Sequence, residues 1–123
     1  MKVVNYSYTN IIQRLYERMD NCAVIQIQDP NMSFPVITGF DVIKQFGIPD
    51  LEFGYDENAD YFQDIIKLKE FLDYCCMNKL NILVHCQAGV SRSGAVVEAA
   101  ILRGYEDPMK RRNPNMKLLE LLK

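Results

Sequence analysis

The sequence holds one histidine, no tryptophan and no cysteines spaced C-x-x-C. A lone histidine with four scattered cysteines (Cys22, Cys75, Cys76 and Cys86) leaves a structural zinc site short of ligands. A membrane-crossing helix needs about 18 or more consecutive apolar residues, and no such run occurs. The first residues, "MKVVNYSYTN", have no apolar segment or small-residue cleavage site, so the expectation is that they are not a signal peptide. The formal net charge of −2 gives no bulk attraction to nucleic acid or to an anionic membrane surface. There is no repeat, linker or low-complexity tract. What is present is ordinary for a folded domain: 123 residues, 49% hydrophobic and 24% charged, enough for a core without disulfide staples. The expectation is a single domain over residues 1–123, a soluble monomer of a reducing, cytoplasmic compartment. It needs no metal, cofactor or obligatory nucleic acid.

Strand-like and helix-like segments alternate. "VVNYSY" (3–8) is β-rich, and "AVIQIQ" (23–28) alternates before stopping at Asp29-Pro30. Between them Ile12, Leu15, Tyr16 and Met19 fit one helical face, with Thr9 or Asn10 as cap. "FDVIKQFG" reads as a turn or two of helix ending at Gly47, and "LEFGY" (51–55) as a short strand. Tyr61, Ile65, Leu68, Leu72 and Cys75 step by four and three, which predicts a helix over about 59–78. "NILVH" has the apolar continuity of a strand buried on both faces. "RSGAVVEAAILRGY" reads as a buried helix closed by Gly104, Asp107-Pro108 as a short helical turn, and "MKLLELLK" as a final amphipathic helix. The fold class is therefore α/β, a mostly parallel sheet of four to five strands with helices on both sides.

The chemistry concentrates in "NILVHCQAGVSRSG", residues 81–94. In a parallel sheet, ligands gather at the C-terminal strand ends, where helix N-termini point their free N–H groups. The small residues Ala88, Gly89 and Ser91 let successive backbone N–H groups turn inward as an anion-binding nest. Arg92 adds a planar guanidinium suited to two phosphate oxygens at once. Cys86 stands at the start of the nest, so the same groups favour its thiolate, a nucleophile poised beneath a phosphate.

"HCQAGVSRSG" resembles the signature loop of the cysteine-dependent protein tyrosine phosphatases: His-Cys, five residues, Arg, then Ser or Thr. Its "AGVSRS" interior is most similar to the dual-specificity branch. The resemblance implies a phosphocysteine intermediate on Cys86. Arg92 and the N–H groups of Gln87, Ala88, Gly89, Val90, Ser91 and Arg92 would hold the three equatorial oxygens. Ser93 would assist the thiolate as it leaves, and His85 would order the loop by hydrogen bonding. The substrate would be a phosphoprotein, through phosphotyrosine and by extension phosphoserine or phosphothreonine. A phosphate-recognition module without turnover, or action on RNA 5′-phosphates or phosphoinositides, are the other readings.

In that family the general acid is an Asp on the loop before the long helix, here "GYDENAD" (54–60). Asp56 is the first candidate, with Asp60, Glu57 and Asp50 as alternatives. The loop lacks the tryptophan-proline-aspartate motif of the larger tyrosine-specific enzymes. "RRNPNMKLLELL" (111–122) resembles the basic stretch, turn and final helix that end many dual-specificity domains, and Arg111 and Arg112 could attract anions. Cys75 or Cys76 could supply a second thiol to Cys86.

Overall fold

The apolar run Asn81–Cys86 forms a strand with hydrogen-bonded partners on both sides. The computed structural model describes residues 1–123. In chain order it contains β1 (Val3–Ser7), α1 (Tyr8–Ile12), β2 (Cys22–Gln28), β3 (Val42–Gly47), α2 (Asp60–Met77), β4 (Asn81–Cys86), α3 (Arg92–Ile101) and α4 (Met116–Leu122). The four strands form one sheet in the order β1-β4-β2-β3, and every pairing is parallel. Ser7 pairs with Cys86 and Gln26 with His85, so the C-terminal strand ends share one edge of the sheet.

Alternation along the strands divides the core. Val3, Ala23, Ile25, Ile27, Ile82, Val84 and Cys86 join one large apolar cluster with α2, α3 and α4. Val4, Tyr6, Cys22, Val24 and Leu83 point the other way, against Ile11 and Ile37. The expected helix of about 59–78 is α2, and four of its five stripe residues, Ile65, Leu68, Leu72 and Cys75, are buried. Each such leucine or isoleucine contributes roughly 1.5–3 kcal/mol of transfer free energy. α3 ends where Gly104 takes a left-handed φ of 98° and its N–H reaches the Ile101 carbonyl at 2.9 Å.

Four local expectations give way. Residues 42–47 form the edge strand β3, not a helix, in register from Ala23↔Val42 to Gln28↔Gly47. Val42 and Phe46 are four apart, a spacing that serves a helix and one strand face equally. The ladder to β2 decides it, with Gln45 Nε2 donating to Gln26 Oε1 across the sheet at 3.0 Å. "LEFGY" forms no strand; Leu51 plugs the core while Phe53 stands 97% exposed. The first helix covers only Tyr8–Ile12, started by a Ser7–Asn10 capping box and ended where Arg14 adopts a φ of 57°. Ser7, rather than Thr9 or Asn10, is the cap, and the far face of the sheet is covered largely by irregular chain. Asp107-Pro108 makes a turn, not a helix, as Asp107 Oδ1 accepts the N–H groups of Met109 and Lys110 at 3.0 and 3.1 Å.

Candidate active site

Cys86 is the last residue of β4 and only 1% exposed. After five residues the chain enters α3 at Arg92, with Ser91 as N-cap. Three polar groups meet the Cys86 sulfur: the Gly89 N–H at 3.3 Å, the Ser93 N–H at 3.4 Å and the Ser93 hydroxyl at 3.3 Å. The two N–H groups donate to the sulfur, and the Cys86 thiol donates to Ser93 Oγ.

The loop's carbonyls account for its inward-facing amides. Gln87 O accepts from Tyr8 N at 3.1 Å, Val90 O from Asn113 N at 2.9 Å, and Ser91 O from Asn115 N at 3.0 Å. Gly89 O accepts from the buried Asn5 side chain at 2.8 Å, and that same amide reaches Arg111 O at 2.6 Å. With four carbonyls drawn outward by the surrounding chain, the loop turns amide dipoles toward Cys86. Gly89 is required in this arrangement. Its φ is 80°, and a Cβ there would lie 2.5 Å from Ser7 N.

Arg92 is buried at 7% exposure. Its Nη1 donates to Asp29 Oδ1 and to the Ile48 carbonyl, both at 2.8 Å. Both bonds use one nitrogen, so the rest of the fork remains for an anion. Asp29 has no part in the sequence reading beyond ending β2. The available signal was topological: the residue just past a parallel strand shares the sheet edge with the loop.

No hydrogen bond joins the acid candidates to the Cys86 sulfur or to Arg92. Asp56 is exposed; its Oδ1 accepts from Asn58 N at 2.9 Å, and its own N–H donates to Tyr61 Oη at 2.7 Å. Asp60 lies in the first turn of α2, whose N-cap is Ala59. Glu57 is exposed, and Asp50 Oδ1 accepts from Asn115 Nδ2 at 2.6 Å. Arg112 is committed elsewhere. It pairs with Glu98 at 2.6 Å and with Asp107, and these partners hold its guanidinium firmly protonated. All four cysteines are free thiols; Cys75 lies beside Cys22 and Cys76, and burial raises its pKa to about 12.

His85, expected to order the loop by hydrogen bonding, lies directly before Cys86 at the end of β4. The ring is fully buried and neither nitrogen has a partner. Burial lowers its pKa from 6.5 to about 4, opposed by the nearby Cys86 backbone. The unfolded chain therefore binds this proton through a window in which the folded chain does not. This stability is complete above pH 6.5 and is lost as the pH falls toward 4, by about 3 kcal/mol in total. In urea unfolding, the stability difference between wild type and His85→Gln should shift by that amount between pH 7 and pH 4. A difference that stays constant would refute the buried neutral ring.

Beside the loop, Tyr8, Gln28, Asn31, Met32, Ser33 and Gln87 line a cleft of about 330 Å³. The larger hollow, about 800 Å³ between β3 and α2, includes none of the loop residues. The loop between β4 and α3, not that hollow, holds the convergent polar groups.

The family model for the dual specificity phosphatase catalytic domain matches residues 4–110. The chain belongs to that family. Protein 123R of Invertebrate iridescent virus 6, which bears a tyrosine phosphatase name, is 38% identical over 74 residues, 53% of this chain and 52% of that protein. Dual specificity protein phosphatase 12 of Rattus norvegicus is 26% identical over 105 residues, 85% of this chain and 30% of that one. The chain thus spans about half or less of the curated relatives it matches. The human tyrosine phosphatase-like serine/threonine/tyrosine-interacting protein shares the fold of this dual specificity phosphatase domain. Its TM-score is 0.54 at 19% identity, over 99% of this chain and 94% of that one. No helix is long and apolar enough to cross a membrane.

Proposed function

We propose that the protein hydrolyses phosphate monoesters on phosphoproteins, phosphotyrosine above all, through a covalent phosphocysteine. The observation that carries this reading is the convergence of two N–H groups and a hydroxyl on the Cys86 sulfur. In the first step the Cys86 thiolate attacks phosphorus in line, the P–O bond to the leaving group breaks, and that oxygen takes a proton from a carboxylic acid. Asp56 is the acid in this reading, on a loop that must approach the bound ester. Arg92 and the N–H groups of residues 87–92 hold the equatorial oxygens, where charge gathers in the transition state. In the second step the Asp56 carboxylate takes a proton from water as that water attacks phosphorus, the P–S bond breaks, and Ser93 Oγ donates to the departing sulfur. Inorganic phosphate leaves and the thiolate is restored. His85 contributes a neutral ring beneath the loop and takes no proton from substrate.

Turnover is favoured over phosphate recognition alone because Ser93 meets the Cys86 sulfur and Arg92 opens the helix that follows the same loop. The test supplies a phosphotyrosine peptide, a phosphothreonine peptide, an RNA 5′-phosphate and a phosphoinositide under reducing conditions with chelator. Expected are phosphate release, fastest from the phosphotyrosine peptide, and an acid-trapped phosphoenzyme mapping to Cys86. Binding of the peptides without release would establish the recognition reading instead. Preferential release from RNA or the inositide would reassign the substrate.

A further inference from the structure

The residue that joins the phosphate loop to the segment bearing the proposed acid is Asn115. It is buried at 9% exposure and makes three contacts with separate parts of the fold. Its backbone N–H donates to Ser91 O at 3.0 Å, which helps turn the loop's carbonyls outward. Its Oδ1 accepts from Leu118 N at 3.1 Å and caps α4. Its Nδ2 donates to Asp50 Oδ1 at 2.6 Å, across 65 positions of sequence.

Asp50 lies two residues beyond Ile48, whose carbonyl receives Arg92 Nη1. The segment 48–50 is therefore tied to the phosphate loop twice, directly through Arg92 and indirectly through Asn115. Leu51 then enters the core at 3% exposure, and 52 and 53 are exposed. The chain that carries Asp56 departs from this anchored point. Asn115 is placed to fix where it departs.

We propose that Asn115 is a positioning residue which, through Asp50, sets the acid-bearing loop against the phosphate loop. This rests on the phosphatase reading above. Its consequence is specific to one chemical step. A displaced loop impairs protonation of the leaving oxygen, so esters with basic leaving groups suffer and esters whose leaving group departs unaided do not. General disturbance of the phosphate loop would slow both.

The test compares phenyl phosphate, a poor leaving group, with p-nitrophenyl phosphate, a good one. Asn115→Asp keeps the α4 cap and the bond to Ser91 O but sets a carboxylate against Asp50. Asn115→Ser keeps the cap, lacks the amide donor, and serves if the first variant folds poorly. For each, kcat on phenyl phosphate should fall by roughly 10- to 100-fold, part of the usual contribution of a general acid. On p-nitrophenyl phosphate the change should stay within about 3-fold on the same argument. The exchange Asp50→Asn with Asn115→Asp restores a donor–acceptor pair in reverse and should recover most of the loss. An even loss on both esters, no loss on either, or failure of the exchange to rescue would overturn the proposal. Wild-type protein that turned over neither ester would overturn the phosphatase reading, and this inference with it.

Discussion

Cys86→Ser should abolish phosphate release while leaving a folded protein. The sulfur is 1% exposed and faces the Gly89 and Ser93 amides and the Ser93 hydroxyl. A serine hydroxyl fits that space and can accept from the same donors, so stability should change by no more than about 1 kcal/mol. A hydroxyl at the same point is not ionised near neutral pH and has no adjacent base to activate it. His85, the preceding residue, is buried with both nitrogens unpartnered and is lowered to about 4 by that burial. Removal of a covalent nucleophile should reduce kcat by about 10⁵-fold or more. Inorganic phosphate should still bind, because the amides and Arg92 remain. The checks are kcat on an aryl phosphate, the thermal midpoint, and phosphate binding by calorimetry. A variant that retained more than about a hundredth of wild-type turnover would show that Cys86 is not the nucleophile.

The loop was legible in the sequence because its chemistry is contiguous. Cys86, the small residues and Arg92 are read together in "HCQAGVSRSG". The supports that hold the loop were not legible. Asn5, Tyr8, Asn113 and Asn115 reach its carbonyls from both ends of the chain. Asparagines in ordinary turn and strand positions carry no mark of such a partner. The long helix and central strand were legible because apolar periodicity over many residues has few solutions. β3 was not, because six residues with apolar positions four apart satisfy two geometries, and only the neighbouring strand selects one. Asp29 shows the same limit in the site itself: its partner Arg92 lies 63 positions away. The acid remains the least legible element, since a loop carboxylate is defined by where the loop rests, not by its neighbours in sequence.

Arg92→Lys should lower kcat by about 10²–10³-fold, equivalent to roughly 2.7–4 kcal/mol of transition-state stabilisation. Charge is conserved in this substitution, so the loss isolates geometry. The arginine spends Nη1 on Asp29 Oδ1 and on the Ile48 carbonyl, both at 2.8 Å, and in the proposed function the rest of its fork meets phosphate oxygens. A lysine ammonium is a single point on a flexible stem. It can stay with Asp29 and Ile48 or turn to the phosphate, but cannot meet both sets with planar bidentate contacts. If it stays, the anion loses two donors where charge develops. If it turns, a buried carbonyl is left unpaired and the 48–50 segment is released from one of its two ties. Either outcome penalises the transition state more than the bound ester, so kcat should fall further than KM rises. Asp29→Asn makes the complementary test. It keeps an acceptor at the same place but removes the charge from a half-exposed partner, and should cost about tenfold or less, as expected for a solvent-screened pair. Equal losses in the two variants would mean that Arg92 acts through its tie to Asp29, and that the fork does not reach the phosphate.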